Sequence, residues 1–161
     1  MAEPFDIVER RGLALASVMA RKGVQAAALG PEFPEGPQCV AKGEMMLVGV
    51  GPGAWLAVSE GGGEDWPGPL EQRLAGRCSI SDQSGAYVLL HIAGAGARTL
   101  LQRGVAIDLH PDVFVAGSAA TTAIAHIGVI LWRPAAEEAF DLAVFRSYAA
   151  GFRRWLASQS L

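Results

Sequence analysis

The sequence predicts an α+β fold in which antiparallel sheet carries helices packed to one side. Three observations predict it. Two stretches, MMLVGVGPGAWLAVS and GVILWRPAAEEAFDLAVF, each place apolar, β-branched runs on either side of a turn, as a hairpin does. They occupy corresponding places in two halves that each read strand, helix, hairpin and second helix, so the chain is expected to form two βαββ-like halves. Near the C-terminus Tyr148, Phe152, Trp155 and Leu156 fall at i, i+4, i+7 and i+8, one stripe along a helix.

At 161 residues the chain suits one domain with a sizeable core. Residues 1–12 are expected to be an extended or poorly ordered arm, and residues 13–161 the domain. Hydrophobic residues make up 51% and charged residues only 18%, so a partner is expected to cover some apolar surface. The net charge of −3 mixes both signs and leaves no basic face of the kind nucleic acid requires. Cys39 and Cys78 lie far apart at no metal spacing and read as reduced, partly buried thiols, with a single disulfide as the alternative. The opening MAEPFDIVERRG is charged where a secretory leader is apolar, and no apolar run reaches the roughly 18 residues of a membrane span. A soluble, cytoplasmic protein is expected.

Taken in order, LALASVMA over 13–20 does not settle between helix and strand, because its period is mixed. Gly30 to Pro37 holds three prolines and must be loop. Met45 to Val50 and Trp55 to Val58 form the first hairpin around Gly51-Pro52-Gly53. Ser59 to Pro69 is a polar, glycine-rich loop, and Leu70 to Leu74 a short helix. Residues 79–110 then read strand, turn, strand, helix, loop. Val88, Leu90 and Ile92 share one strand face, and Ala97, Leu100 and Leu101 one helix stripe, so each can bury the other. Gly104 sits where a left-handed cap would end that helix. Thr121 to Trp132 is expected as two strands divided, or bulged, at Gly128. Glu137-Glu138 mark a turn, Phe140 to Phe145 a strand, and Ser147 an N-cap for the last helix.

Four stretches carry a family resemblance: GVGPGAWLAVSE, SDQSGAYVLLHIAGAGARTLLQRGVAIDLHPDVF, TTAIAHIGVILWR and AFDLAVFRSYAAGFRRWL. In this order they resemble the gamma subunit of heterotetrameric sarcosine oxidase, from about Gly12 to the end of the chain. More distantly, the pattern is similar to the folate-binding aminomethyltransferases, the glycine-cleavage T-protein family. The resemblance implies that residues 13–20 are the first strand and Gly23 to Leu29 a short helix. It also implies an accessory, non-catalytic subunit of a complex that demethylates sarcosine to glycine and passes the one-carbon unit to tetrahydrofolate. FAD, FMN, NAD, zinc and tetrahydrofolate are then expected on the other subunits and none on this chain. The alpha, beta and delta subunits are the expected partners, chiefly the large folate-binding one. The alternative is a stand-alone folate-binding or regulatory protein of the same superfamily, although the KGCYxGQE motif of the iron–sulfur-assembly relatives is absent.

The residues themselves offer no nucleophile set: no GxSxG elbow, P-loop or Cys–His pairing is visible. Gly49-x-Gly51-x-Gly53 is followed by a strand and reads as a hairpin turn rather than a dinucleotide fingerprint. Gly94-Ala95-Gly96 lies between strand and helix but has Thr99 at the third fingerprint position, which favours a tight turn. His91 and His126 are expected on strands as hydrogen-bonded core residues. His110, flanked by Asp108 and Asp112, reads either as a proton-transfer group or as a loop residue bonding backbone; Pro111 favours the loop role. Asp82 is either a ligand-binding acid or a turn residue. Trp55, Trp132, Tyr148, Phe152 and Trp155 are expected in the core. Asp82, Asp108, His110, Arg133 and Arg146 are the candidate loop or interface residues; no catalytic, cofactor-binding or metal residue is expected.

Overall fold

The structure, a computed structural model, describes residues 2–160. The chain forms two compact units: one is Gly12–Gly85, the other runs from Ala86 onward and includes the segment ending at Arg11. The first strand, β1 (Asp6–Arg10), therefore belongs to the second unit. The expected arm is a paired strand over these residues, not a disordered one.

The unit Gly12–Gly85 contains β2 (Ala14–Ala20), α1 (Ala26–Leu29), β3 (Cys39–Lys42), β4 (Met45–Gly51), β5 (Ala54–Ser59), α2 (Gly68–Arg73) and β6 (Cys78–Asp82). Its sheet has the order β3-β4-β5-β2-β6, antiparallel at every pairing. LALASVMA resolves as strand because Ala16 and Val18 fall on one face against Trp55 and Ala57, an environment that outweighs alanine's helical preference. α1 is a single turn, too short to stand without such packing. Leu70 and Leu74 cover the same face, and Phe33 meets the Trp55 ring edge-on at 5.2 Å. The loop Gly30 to Pro37 lies against β4, where a Cβ on Gly49 would stand 2.3 Å from the Gly36 carbonyl oxygen. The glycines of 49–53 thus serve a close approach and a hairpin with a register shift, as a turn reading requires. Trp66 anchors the polar 59–69 loop by donating its indole N–H to the Leu15 carbonyl at 3.0 Å.

The second unit adds β7 (Tyr87–Ala93), α3 (Ala97–Gln102), β8 (Ala119–Ile124), β9 (Ile127–Trp132), β10 (Ala139–Phe145) and α4 (Ala149–Gln159) to β1. Its sheet order is β1-β7-β10-β9-β8, again antiparallel. Val88, Leu90 and Ile92 of β7 join Leu100 and Leu101 of α3 and Phe152 and Leu156 of α4 in one core, so strand period and helix stripe bury each other as expected.

Four local expectations are corrected here. The β8–β9 hairpin turns at Ala125-His126, both at positive φ (50° and 66°), not at Gly128, which lies within β9. His126 is consequently an exposed turn residue rather than a core histidine. Gly104 is not a left-handed cap; the last α3 residues stay right-handed, and Gly104 is instead crowded by Trp155. Ser147 does not cap α4: a single 3-10 turn over Arg146–Tyr148 leads into the helix and puts Tyr148 at the cap position, 57% exposed and off the buried stripe.

Written from their inner strands, the two sheets have the same plan. β2-α1-β3-β4-β5-α2 matches β7-α3-β8-β9-β10-α4, and in each sheet the order is third, fourth, fifth, first, then one added strand. The expected echo is real, with the predicted hairpins aligned as β4–β5 and β9–β10. The repeating piece is one strand longer than βαββ, each half carrying a further edge strand, β3 or β8. The fold is α+β with two antiparallel sheets.

Candidate functional site

The long connection between α3 (Ala97–Gln102) and β8 (Ala119–Ile124) is held by side chains of the sheet and helix beside it. Two of its side chains turn inward: Leu109 is fully buried and Phe114 nearly so, with the Phe114 ring 6.2 Å from that of Phe140. Between and beside them the loop turns apolar groups outward, with Val113 60% and Val115 48% exposed. A loop that alternates in this way needs its backbone fixed from below.

Three charged residues do this. Arg98 of α3 donates to the Leu109 carbonyl and, through Nε at 2.9 Å and Nη2, to both carboxylate oxygens of Glu138. Its guanidinium also lies 5.1 Å over the Phe140 ring. Arg133, at the end of β9 and only 8% exposed, donates to the Phe114 carbonyl at 3.1 Å and to the Ala136 carbonyl at 2.8 Å, and stands 3.4 Å from Glu138. Glu138 therefore accepts from one arginine and stands beside a second, and the Arg98 hydrogen bonds hold its carboxyl below the ordinary carboxylate range. Gln102 closes the near end, accepting from Leu109 N–H at 3.2 Å and donating to the Ile107 carbonyl at 3.3 Å.

The expected loop residues sit on the surface of this arrangement. Asp108 accepts from the His110 backbone N–H at 2.8 Å, and His110 Nδ1 accepts from Asp112 N–H at 3.2 Å. Both side chains bond backbone, yet both are exposed. They shape the turn, and the bracing comes from Arg98, Arg133 and Glu138. Asp82 lies in the other unit and accepts from the N–H and hydroxyl of Ser84 at 2.9 and 2.7 Å. The backbone bond, then the hydroxyl, holds its carboxyl below the usual range. Arg146 donates to the Tyr87 carbonyl at 3.1 Å, at the far end of β10 from the loop. Of the five candidates, Asp108 and His110 share the 103–118 loop, which Arg133 holds at Phe114; Asp82 lies in the other unit and Arg146 at the far end of β10.

A second polar group joins His91, expected on a strand with a hydrogen-bond partner, to Asp141, for which no role was expected. Register places His91, Asp141 and Trp132 side by side across β7, β10 and β9. Asp141, 4% exposed, pairs with His91 Nδ1 at 2.7 Å and takes Arg10 of β1 on its other oxygen at 3.2 Å. The Trp132 indole N–H is buried with no hydrogen-bond partner among the described residues. The signal was an acid in the middle of FDLAVF: a carboxylate in a buried strand requires partners. An Asp–His–Arg array of this kind tethers the edge strand β1 to the centre of the sheet.

Cofactor chemistry finds no cradle at the sequence's glycine turns. At Gly94 and Gly96 an added Cβ would meet the backbone of Glu3 to Phe5 at 2.2–2.9 Å, and Gly96 N–H already donates to the Pro4 carbonyl. That segment occupies the space a phosphate would need. Among the described residues no group of three His, Cys, Asp or Glu is placed to hold a metal. Cys39 and Cys78 are buried thiols, and burial pushes the Cys78 thiol up. Among the described residues no helix is long and apolar enough to cross a membrane.

Comparison with known proteins places this architecture. A chain of heterotetrameric sarcosine oxidase from Corynebacterium sp. U-96, solved in complex with pyrrole 2-carboxylate, superposes with a TM-score of 0.85 at 22% identity, covering 96% of this chain and 83% of that one. The glycine cleavage system aminomethyltransferase T of Bartonella henselae gives a TM-score of 0.72 at 17% identity over 99% of this chain and 46% of that one. The fold is that of both proteins. A sarcosine oxidase subunit gamma from Arthrobacter sp is 34% identical over 112 residues, which is 67% of this chain and 54% of that relative, so the match spans about half of the relative's length. The sequence model of the sarcosine oxidase gamma subunit family matches residues 11–161, and the chain belongs to that family.

Proposed function

We propose that this chain is an accessory, non-catalytic subunit of a sarcosine oxidase-type complex. The observation that carries this reading is the family match over residues 11–161. In the proposed complex the N-methyl group of sarcosine is oxidised, glycine is released, and the one-carbon unit passes to tetrahydrofolate. FAD, FMN, NAD, zinc and tetrahydrofolate sit on the alpha, beta and delta subunits, chiefly with the large folate-binding chain as this subunit's neighbour. The complex works in the cytoplasm, where thiols stay reduced, in keeping with two buried thiols here.

This chain contributes surface. The 103–118 loop, with Asp108, His110, Val113 and Val115 outward, is held from beneath by Arg98 and Arg133, and a loop so held lowers the ordering cost of association. Co-expression of the four chains tests the reading. Co-purification of this chain with an oxidase that releases peroxide from sarcosine is expected, together with no flavin absorbance and no peroxide from the chain alone. An active oxidase that forms and purifies without it would sink the proposal. Tight binding of tetrahydrofolate by the isolated chain would favour the stand-alone folate-binding alternative.

A further inference from the structure

The segment that seals the Gly94-Ala95-Gly96 turn also builds a cavity beside it. A Cβ on Gly96 would lie 2.2 Å from the Glu3 carbonyl oxygen and 3.2 Å from the Phe5 ring, so the glycine lets residues 3–5 lie against the start of α3. The Gly96 N–H, donated to the Pro4 carbonyl at 3.0 Å, holds them there. Between this segment, α3 and the end of α4 opens a cavity of about 500 Å³, within the roughly 300–1,000 Å³ range of small-molecule sites. All of its walls belong to the second unit.

The lining is chemically mixed. Leu100, 2% exposed, and Phe5 supply apolar surface, and Thr99 a hydroxyl. Glu3 and Arg103 supply one charge of each sign, and among the described residues no ion pair joins them to each other. Arg103 donates through Nη1 to the Gln159 carbonyl at 2.6 Å, which ties the end of α3 to the end of α4 and sets the guanidinium in place. The rest of its donor fork is left for a carboxylate.

We infer that this cavity binds a small zwitterion, an α-amino acid or its N-alkyl derivative. Arg103 takes the carboxylate, Glu3 the ammonium group, and Phe5 and Leu100 the alkyl part. An acid and a guanidinium lining one cavity select a ligand that carries both charges, because a lone anion is repelled by Glu3 and a lone cation by Arg103. Both charged side chains are exposed, so screening keeps the affinity in the millimolar range. The site stands without the subunit reading; that reading only makes N-methylglycine the first probe.

The test titrates the complete chain with N-methylglycine and with L-proline, followed by amide NMR shifts. Both should move the Thr99, Leu100 and Arg103 signals saturably. Arg103→Gln and Glu3→Gln should each weaken binding about fivefold or more, while Lys22→Gln, in the other unit, should leave it unchanged. Glu3→Gln decides the matter if Arg103→Gln lowers the melting temperature by releasing Gln159. No saturable shift, binding that Glu3→Gln leaves intact, or acetate or methylamine binding as tightly as the zwitterions would each overturn the inference. None of these results bears on whether the chain co-purifies with an active oxidase, so failure of the site and failure of the subunit reading are read separately.

Discussion

Gly104 offers a quantitative check on how the second unit is packed. A Cβ at this position would lie 2.5 Å from Cζ2 and 3.0 Å from Cη2 of Trp155, and 3.2 Å from the Ala125 backbone nitrogen. The indole is not free to retreat, because its other neighbours include the Phe152 ring at 5.9 Å and the core that Phe152 enters. Gly104→Ala should therefore overpack the α3–α4 junction and cost about 1–3 kcal/mol. In an uncrowded position outside the left-handed region the same change stabilises by about 0.4–1 kcal/mol, because it restricts the unfolded chain. The sign of the effect thus depends on Trp155. Urea unfolding of the four members of a Gly104→Ala, Trp155→Leu cycle separates the two contributions. Gly104→Ala should destabilise the natural chain and become neutral or stabilising once Trp155 is Leu, a coupling on the order of 1 kcal/mol or more. Equal destabilisation in both backgrounds would show that backbone conformation, not the indole, demands the glycine.

Two further outcomes follow from the 103–118 loop. Leu109→Ala removes a fully buried side chain and should cost about 2–5 kcal/mol in urea unfolding, whereas Asp108→Ala, exposed and bonded to a local N–H, should stay within about 0.5 kcal/mol; equal losses would refute the division between braces and surface. Glu138→Gln should destabilise the chain near neutral pH and lose that effect in acid. Arg98 holds the Glu138 carboxyl below its ordinary value of 4.5, so its contribution is present above the unfolded value and disappears as pH falls through the lower, folded one. A gap between natural chain and variant that stays constant from neutral pH into acid would contradict this.

The sequence makes the inner strands legible because they satisfy two demands at once. YVLLHIA and FDLAVF are both β-branched or aromatic and periodic, so strand is the one choice consistent with burial on a pleated face. Turn chemistry was harder. Gly128 carried the expected signal for a break, yet Ala125 and His126 take the positive φ angles, because the hairpin needs them there to keep Ile124 and Ile127 paired. Gly104 carries a cap signal, yet its reason for being glycine lies in Trp155, far onward in the chain, which no local pattern reveals. The same holds for the loop braces. Asp108 and His110 stand out as polar residues in an apolar stretch, whereas no local pattern links Arg98 to Glu138, forty residues on, which reads only as part of a turn.

β1 shows most clearly why local reading stopped where it did. DIVER is five residues, mostly exposed, and taken alone it looks like a solvated arm. Its place is set by β7, with Ile7 opposite Ile92 and Glu9 opposite Leu90. Without it β7 becomes an edge, and a strand as apolar as YVLLHIA with free backbone groups is an aggregation hazard. In the matching sheet the same edge of β2 is covered by β6, which immediately precedes β7 in sequence as β1 precedes β2. Each added strand thus pairs with the first inner strand of the other repeat rather than with the strand that follows it. The devices that hold β1 are correspondingly non-local: Arg10 on Asp141 131 residues away, Arg153 on Glu9, and the Pro4 carbonyl on Gly96, whose missing side chain makes room for the segment leading into the strand. A short polar strand is specified here by the partner it completes, and so becomes readable only when the repeat is counted as β-α-β-β-β-α with one strand exchanged.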